Sequence, residues 1–285
     1  MGGKTKIRWT DHTLDFWWGC LKVSPGCEHC YAETFSKHVG RNIWGPSQTT
    51  ERWRTKSPWL DCLKWDKKAR RDGIRRKVFC QSMSDFFEDH PQVTSWRWHA
   101  LRILEGFTSL DVQLLTKRIE NVTQMVPDSW LENWPSHILI GTSVENQEYA
   151  DKRIHELLKI PAAVRFLSAE PLLGPIRLPD SFLSLGKKTW VIVGGESGPN
   201  ARPMHPQWVR NLRDQCIVAG VPYFFKRWGM ERPMAKSDWD DPVCKPHDII
   251  QRHGWPSMRR FHSKGTAGYL LDGREWSQFP DTMEV

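Results

Sequence analysis

The chain contains no run of eighteen apolar residues in its 285 positions, which excludes a membrane-spanning helix. Its opening, MGGKTKIRWTDHT, carries charge but no apolar stretch, so no secretory leader is expected and the protein is placed in the cytoplasm. There is no internal repeat at a fixed short period and no low-complexity tract, which leaves an ordinary globular chain. Cysteine is sparse, at seven. In a reducing compartment these are expected as ligands, core residues or reactive groups rather than as disulfides. What is present fits a soluble protein with a real core: 39% hydrophobic and 26% charged residues.

The net charge of +8 is unevenly spread. Residues 1–80 hold 17 Lys and Arg against 8 Asp and Glu, whereas the remaining 205 hold 24 against 25. Between Arg52 and Lys77 there are eleven basic and three acidic residues, with Trp53, Trp59 and Trp65 among them. A basic surface with interleaved aromatics suits a polyanion whose bases stack. Arg70, Arg71, Arg75, Arg76, Trp53 and Trp59 are therefore the candidate nucleic-acid contacts. The other reading is a solvated amphipathic helix with core tryptophans.

Short apolar runs alternate with helical patterns along the chain. The runs are Leu14–Gly19, Val78–Cys80, Val112–Leu115, Ile138–Ile140, Val164–Leu167, Trp190–Val193 and Pro222–Phe225, with helices expected near 93–106, 120–133, 147–159 and 206–219. This rhythm predicts βα units, a parallel sheet and a complete or partial (β/α) barrel. The barrel is expected over residues 1–230, with a basic, Trp-rich insertion at about 31–76 lying beside the mouth. An irregular C-terminal extension is expected over 231–285.

The residues following the runs are chemically loaded: Ser82-Met83-Ser84-Asp85, Thr116-Lys117-Arg118, Thr142-Ser143-Val144-Glu145-Asn146, Ser168-Ala169-Glu170-Pro171, Gly194-Gly195-Glu196-Ser197-Gly198 and Lys226-Arg227-Trp228. In a β/α barrel these loops share one mouth and build the site. Asp85, Glu145, Glu170 and Glu196 recur at equivalent positions, and Lys117 and Arg118 suit a carboxylate or phosphate. Pairing with neighbouring carboxylates is the alternative role for those two cations.

Cys20, Cys27 and Cys30 fall within eleven residues, in Gly19-Cys20-Leu21-Lys22-Val23-Ser24-Pro25-Gly26-Cys27-Glu28-His29-Cys30-Tyr31. Three thiolates can hold three irons of a [4Fe–4S] cube and leave the fourth open. A zinc site completed by a histidine such as His29 is the alternative, but no second C-x-x-C occurs. Cys62, Cys80, Cys216 and Cys244 are isolated, as core cysteines are.

The cysteine loop, together with Ser-Met-Ser-Asp, Leu-Thr-Lys-Arg, Thr-Ser-Val-Glu-Asn, Ala-Glu-Pro-Leu-Leu-Gly-Pro-Ile, Val-Gly-Gly-Glu-Ser-Gly-Pro and Phe-Phe-Lys-Arg-Trp-Gly, resembles a phage-associated, radical SAM-like three-cysteine family distantly similar to spore photoproduct lyase. The resemblance spans about residues 7–230. It implies a partial barrel of the radical SAM type, a [4Fe–4S] cluster on Cys20, Cys27 and Cys30, and S-adenosylmethionine as cofactor. It also implies an electron donor such as a flavodoxin or ferredoxin and, for a phage protein, the host cytoplasm. Two departures stand out: six residues rather than the common three separate the first two cysteines, and Gly194-Gly195-Glu196 follows a late strand rather than an early one. The candidate cofactor contacts are His29, Ser143, Gly194, Gly195 and Glu196; the candidate catalytic groups are Glu145, Glu170 and Lys117. Glu145 or Glu170 can replace Glu196 as the amino-group ligand.

Three functions are compatible with these residues. One is an isomerase acting on a nucleobase of phage DNA during thymine hypermodification, and another is a DNA-lesion repair lyase. The third, of a different class, is a non-catalytic metal-stabilised nucleic-acid-binding protein. The partner in each is DNA or a modified nucleotide, and either enzyme needs an extruded base.

Overall fold

The computed structural model describes residues 5–198, 200–262 and 267–281. The expected alternation of strand and helix is there. The strands of the main sheet are β1 (His12–Leu14), β4 (Arg76–Cys80), β5 (Leu110–Thr116), β6 (Ile138–Ser143), β7 (Arg165–Ala169), β8 (Thr189–Gly194) and β9 (Tyr223–Arg227), all parallel and in sequence order. Strands added in one direction by right-handed crossovers put every helix on one face. The sheet therefore curls into a partial (β/α) barrel, the fold class expected.

Side-chain alternation confirms the two faces. On β8, Val191 and Val193 join the outer core under the helices, whereas Trp190 and Ile192 join a separate inner cluster with Trp9, Phe79, Leu139, Val164, Phe166 and Phe224. β6 and β8 are buried along their whole length, as strands covered on both faces are. The inner cluster fills the bottom of the barrel, the end where the strands begin, and leaves the upper lumen to polar residues.

The crossover helices start where the sequence caps them. Asn146 accepts a bond from Tyr149 N–H at the head of α6 (Gln147–Lys159). His90 and His205 do the same for Gln92 and Gln207, just before the prolines that open α3 (Pro91–Glu105) and α8 (Pro206–Val218). The helix expected over 120–133 is broken instead into α4 (Val122–Met125) and α5 (Asp128–Glu132). Pro127 lacks an amide hydrogen and biases Val126 to an extended conformation. A short α7 (Asp180–Leu183) precedes β8.

The first run and the insertion also differ from expectation. Only His12–Leu14 enters the main sheet; Trp17–Trp18 (β2) turns out to pair antiparallel with Trp53–Arg54 (β3). Within 31–76, α1 (Tyr31–His38) reaches the mouth through Tyr31 Oη, which donates to Ser82 O at 2.8 Å. The charged stretch forms α2 (Trp59–Asp72), the crossover helix into β4, so it packs on the barrel wall through Cys62, Trp65 and Ala69. That stretch is not an insertion beside the mouth.

The C-terminal extension is only partly irregular. Residues Glu231–Pro233 (β10), Ile249–Ile250 (β11) and Met258–Arg260 (β12) form a three-stranded antiparallel sheet in the order β10-β12-β11. Sequence periodicity missed it because each strand is two or three residues long. The last described segment acts as cover: Phe225 N–H donates to Trp276 O and Gln278 N–H to Tyr223 O along the open edge of β9. No described helix is long and apolar enough to cross a membrane.

Candidate active site

A cavity of about 430 Å³ opens at the end of the barrel where the strands finish. Its walls include all three loop cysteines together with Gln81, Lys117, Ser143, Ser168, Glu170 and Lys226. Trp9, Phe79 and Leu115 also line it, on the side of the apolar cluster. The loops after the strands converge on one mouth, as (β/α) geometry requires.

The cysteine loop lies across this mouth, and buried charges clamp it in three places. At Cys20, the Arg118 guanidinium reaches Sγ at 3.6 Å and Leu21 O at 2.7 Å, while Leu21 N–H donates to Glu88 at 2.9 Å. Arg118 also pairs with Asp85 at 3.0 Å, and Glu88 with the fully buried Arg52 at 2.8 Å. At Ser24, the hydroxyl donates to Glu145 at 2.5 Å, and Glu145 pairs with Arg153 at 2.9 Å. The backbone at Gly26 comes so close that a Cβ there would lie 2.5 Å from the Glu145 carboxylate; only glycine fits. From Pro25 to His29, Arg202 donates to Pro25 O and Glu28, and its other donors engage Glu196, which also meets His29 Nδ1 at 3.1 Å.

Cys20, Cys27 and Cys30 are free and half-buried. Burial pushes the Cys20 thiol up to about 12 against the opposing pull of Arg118. Cys30 sits just before α1, where the amides of Ala32 and Glu33 face its sulfur; burial still raises it. Among the described residues, the three sulfurs are not gathered within 4.8 Å of one another. A single tetrahedral zinc would hold thiolates roughly 3.8 Å apart at its 2.3 Å bond length. Wider spacing over a roomy cavity fits a polynuclear cluster better than one ion.

The expected carboxylates divide into two groups. Asp85, Glu145 and Glu196 are engaged in the clamps. Burial opposes ionisation of Glu196, but Arg202 and His29 outweigh it and hold its carboxyl below the usual range. Burial also opposes Asp85, which Arg118 and the Thr116 hydroxyl hold low. Glu170 alone of the four faces Lys226, at 2.6 and 2.7 Å from its two oxygens. Burial lowers the Lys226 ammonium, with Glu170 opposing. Lys117 Nζ donates to Ser143 Oγ at 3.1 Å and approaches Glu145 at 3.9 Å. Gly194 ends β8 beside Glu170, and a Cβ on Gly195 would meet Trp228 O at 2.0 Å. That contact accounts for Gly195 by packing.

Some lumen groups escaped the sequence reading. Gln81, 3% exposed, spends Oε1 on the amides of Phe16 and Trp17, at 2.6 and 3.2 Å. Its Nε2 and the Ser84 hydroxyl have no partner, although both residues line the cavity. Buried donors left open in a cavity are what a polar ligand satisfies. Arg202 and Arg153 also escaped the sequence reading, although their partners Glu196 and Glu145 lie only six and eight residues away, because neither arginine sits directly after a strand. Buried Asp15 was also unforeseen. It accepts from the amides of Ser82 and Met83 at 2.7 and 2.8 Å, and burial raises it.

The candidate nucleic-acid residues are placed elsewhere. Arg75 and Arg76 stand where β4 begins, at the end of the barrel away from the mouth, and pair with Asp111 and Asp72 at 2.7 Å. Arg70 and Arg71, in the last turn of α2, pair with Asp66 and Asp72. Trp53 packs edge-on against Trp18 and under the Arg41 guanidinium. Trp59 is partly exposed and meets His99 edge-on. Arg70, Arg71, Arg75 and Arg76 are therefore paired and stand away from the mouth, so they do not form a basic face there.

A family model described as "Protein of unknown function (DUF5131)" matches residues 4–280. No curated protein matches the chain. Among solved structures, two variants of spore photoproduct lyase are similar, a cysteine-to-alanine variant with a dinucleoside spore photoproduct and a tyrosine-to-phenylalanine variant. Each shows 10% identity and a TM-score of 0.47 over 92% of this chain and 71% of the other.

Proposed function

We propose that this chain, which belongs to the DUF5131 family, is an iron–sulfur enzyme that runs radical chemistry from S-adenosylmethionine on a nucleobase held in the barrel lumen. One observation carries the reading. Three free cysteines line the open end of a polar cavity, on a loop held in place by clamps through Arg118, Ser24 and Arg202. Cys20, Cys27 and Cys30 would hold a [4Fe–4S] cluster through three irons. When bound, the cluster supplies the electron for reductive cleavage of S-adenosylmethionine, drawn from a flavodoxin- or ferredoxin-like donor.

The protein's own part is binding, orientation and exclusion of water. Lys117 and Ser143 stand beside the cysteine loop with donors for a carboxylate, the group that an amino-acid cofactor carries. Glu170 is the carboxylate assigned to its amino group, because its partner is Lys226 within the lumen, whereas Glu145 and Glu196 hold the cysteine loop. Lys226 holds Glu170 in position until the ligand arrives. Lower in the lumen, Trp9 and Phe79 offer rings to a planar base, and Gln81 Nε2 and Ser84 Oγ offer open bonds to its polar edge. The closed bottom keeps water from a reactive intermediate. A base in DNA reaches this lumen only by leaving its stack.

Both candidate outcomes, rearrangement of a hypermodified thymine and cleavage of a base lesion, begin with hydrogen abstraction in that lumen. The deciding experiment is anaerobic reconstitution followed by dithionite and S-adenosylmethionine. The protein should take up about four irons and four sulfides and release 5′-deoxyadenosine. One zinc and no colour would sink the reading in favour of a metal-stabilised binding protein. Iron without cofactor cleavage would leave only electron transfer or structure. Incubation with DNA carrying thymine hypermodifications or photolesions then identifies the reaction.

A further inference from the structure

We propose a second metal site, for a divalent first-row ion of the zinc type, on His247, Asp248 and His262 in the C-terminal sheet. The three donor atoms lie within 4.8 Å of one another. His262 Nε2 is 2.7 Å and His247 Nε2 3.6 Å from the same Asp248 oxygen. Ligand atoms on one tetrahedral zinc sit about 3.3 Å apart, given bonds of about 2.0–2.2 Å. The observed separations bracket that value, so small side-chain rotations bring all three onto one ion.

The ladder explains how residues fifteen positions apart converge. β11 and β12 run antiparallel, with Ile249 opposite Arg259 and Ile250 opposite Met258. Continued outward, this register sets Asp248 opposite Arg260 and His247 opposite Phe261, the neighbour of His262. Asp248 is the buried member, and its second oxygen already accepts the Lys245 amide at 2.9 Å. That bond fixes the carboxylate and leaves Oδ1 for the ion, the orienting role that outer hydrogen bonds play at metal sites. Two imidazoles and one carboxylate suit zinc and its neighbours rather than calcium or magnesium. With the histidines 74% and 70% exposed at the side chain, water completes the shell and the ion exchanges freely.

The surrounding architecture gives such an ion a purpose. The small sheet has little apolar interior; among its described residues Met258 is fully buried, while the remaining order comes from charge. Glu231 pairs with Arg252 and Arg260, and Asp238 with Arg232 and Arg259. Units too small for a core are the ones that metals staple. Here the ion would tie the turn before β11 to the end of β12.

The test uses the full chain without a histidine tag, with Cys20, Cys27 and Cys30 all replaced by Ala so that thiolates do not compete. Zinc is titrated by calorimetry and cobalt by visible absorbance. One zinc per chain should bind, cobalt should give a nitrogen- and oxygen-ligand spectrum, and zinc should raise the melting temperature. His247→Ala and His262→Ala should each weaken zinc binding at least tenfold and remove the thermal shift. Because both rings are exposed, neither change should unfold the chain, which circular dichroism checks. Unchanged zinc affinity in the His247→Ala/His262→Ala double variant, or no zinc binding by the cysteine-free chain, overturns the proposal. Either result leaves the reading of the cysteine loop untouched.

Discussion

The two ends of the same seven strands have been put to opposite uses. At the bottom, inward-facing Phe79, Leu139, Phe166, Trp190 and Phe224 close the barrel with rings and branched chains around Trp9. At the top, the next inward positions are Gln81, Lys117, Ser143, Ser168, Glu170 and Lys226, and the space between them is open. The top itself divides again. Asp85 and Glu196 are tied to the cysteine loop through Arg118 and Arg202, and Glu145 through Ser24, whereas Glu170 pairs with Lys226 across the lumen. A carboxylate at a strand end is therefore not by itself a catalytic group; what matters is whether its bonds hold the cysteine loop or another group of the lumen.

The sharpest contrast lies between cysteines at the mouth and cysteines in the wall. Replacing Cys20, Cys27 or Cys30 by Ala should abolish cluster uptake and 5′-deoxyadenosine release, measured as iron per chain and by chromatography. Cys216→Ala, in the outer core, should leave iron content unchanged. Next in size is the bottom plug. Trp190→Ala should cost about 3–5 kcal/mol in denaturant unfolding, with iron per folded molecule unaltered; a loss of iron in the folded fraction would mean that the two ends are coupled.

The two kinds of carboxylate can be separated directly. Glu145→Gln leaves Arg153 buried without its counter-ion, a change that costs about 3–5 kcal/mol at buried pairs, and should loosen the loop so that iron is lost. Glu170→Gln should keep the iron and raise the S-adenosylmethionine concentration needed for cleavage. If the two variants exchange phenotypes, the division into clamp and lumen is wrong. Acid should act on the clamp as well. The Glu196 carboxyl is held below its usual range by Arg202 against the cost of burial. Its contribution is thus complete above the ordinary carboxylate pKa and disappears as pH falls through the lowered value. Cluster retention followed across that interval should decline in step, and Glu196→Gln should flatten the profile.

Smaller still is the effect expected at Gln81. Gln81→Glu keeps the acceptor that holds Phe16 and Trp17 and removes the open donor. Turnover should drop by about tenfold, the size of one hydrogen bond of about 1.4 kcal/mol, with iron unchanged. The smallest effect is expected at the far end. Arg70→Ala with Arg71→Ala should leave DNA affinity and its salt slope unaltered, because both side chains are paired on α2, a helix that leads into the bottom of β4. A slope lower by about 0.9 per residue would mean that DNA meets the bottom of the barrel instead.

The sequence by itself determined the parts whose information is local. Apolar runs alternating with helical patterns specified β4 to β9 in order, because strand patterning and short crossovers leave few other topologies. Cys20, Cys27 and Cys30 stood out by their spacing as candidate ligands. Short strands such as Glu231–Pro233 and Ile249–Ile250 carried no period long enough to detect, and the pairing of Trp17–Trp18 with Trp53–Arg54 depends on residues far along the chain. The roles of charges were decided only by tertiary structure. Ser24 and Glu145 lie 121 positions apart, and His29 and Glu196 lie 167 apart; no local pattern distinguishes a glutamate so paired from Glu170. Likewise the basic excess of residues 1–80 was plain in the composition, but the pairing of Arg70, Arg76 and Arg75 with Asp66, Asp72 and Asp111 required the helix, the strand and their neighbours to be in place, since charge is a property of the sequence and potential a property of the arrangement.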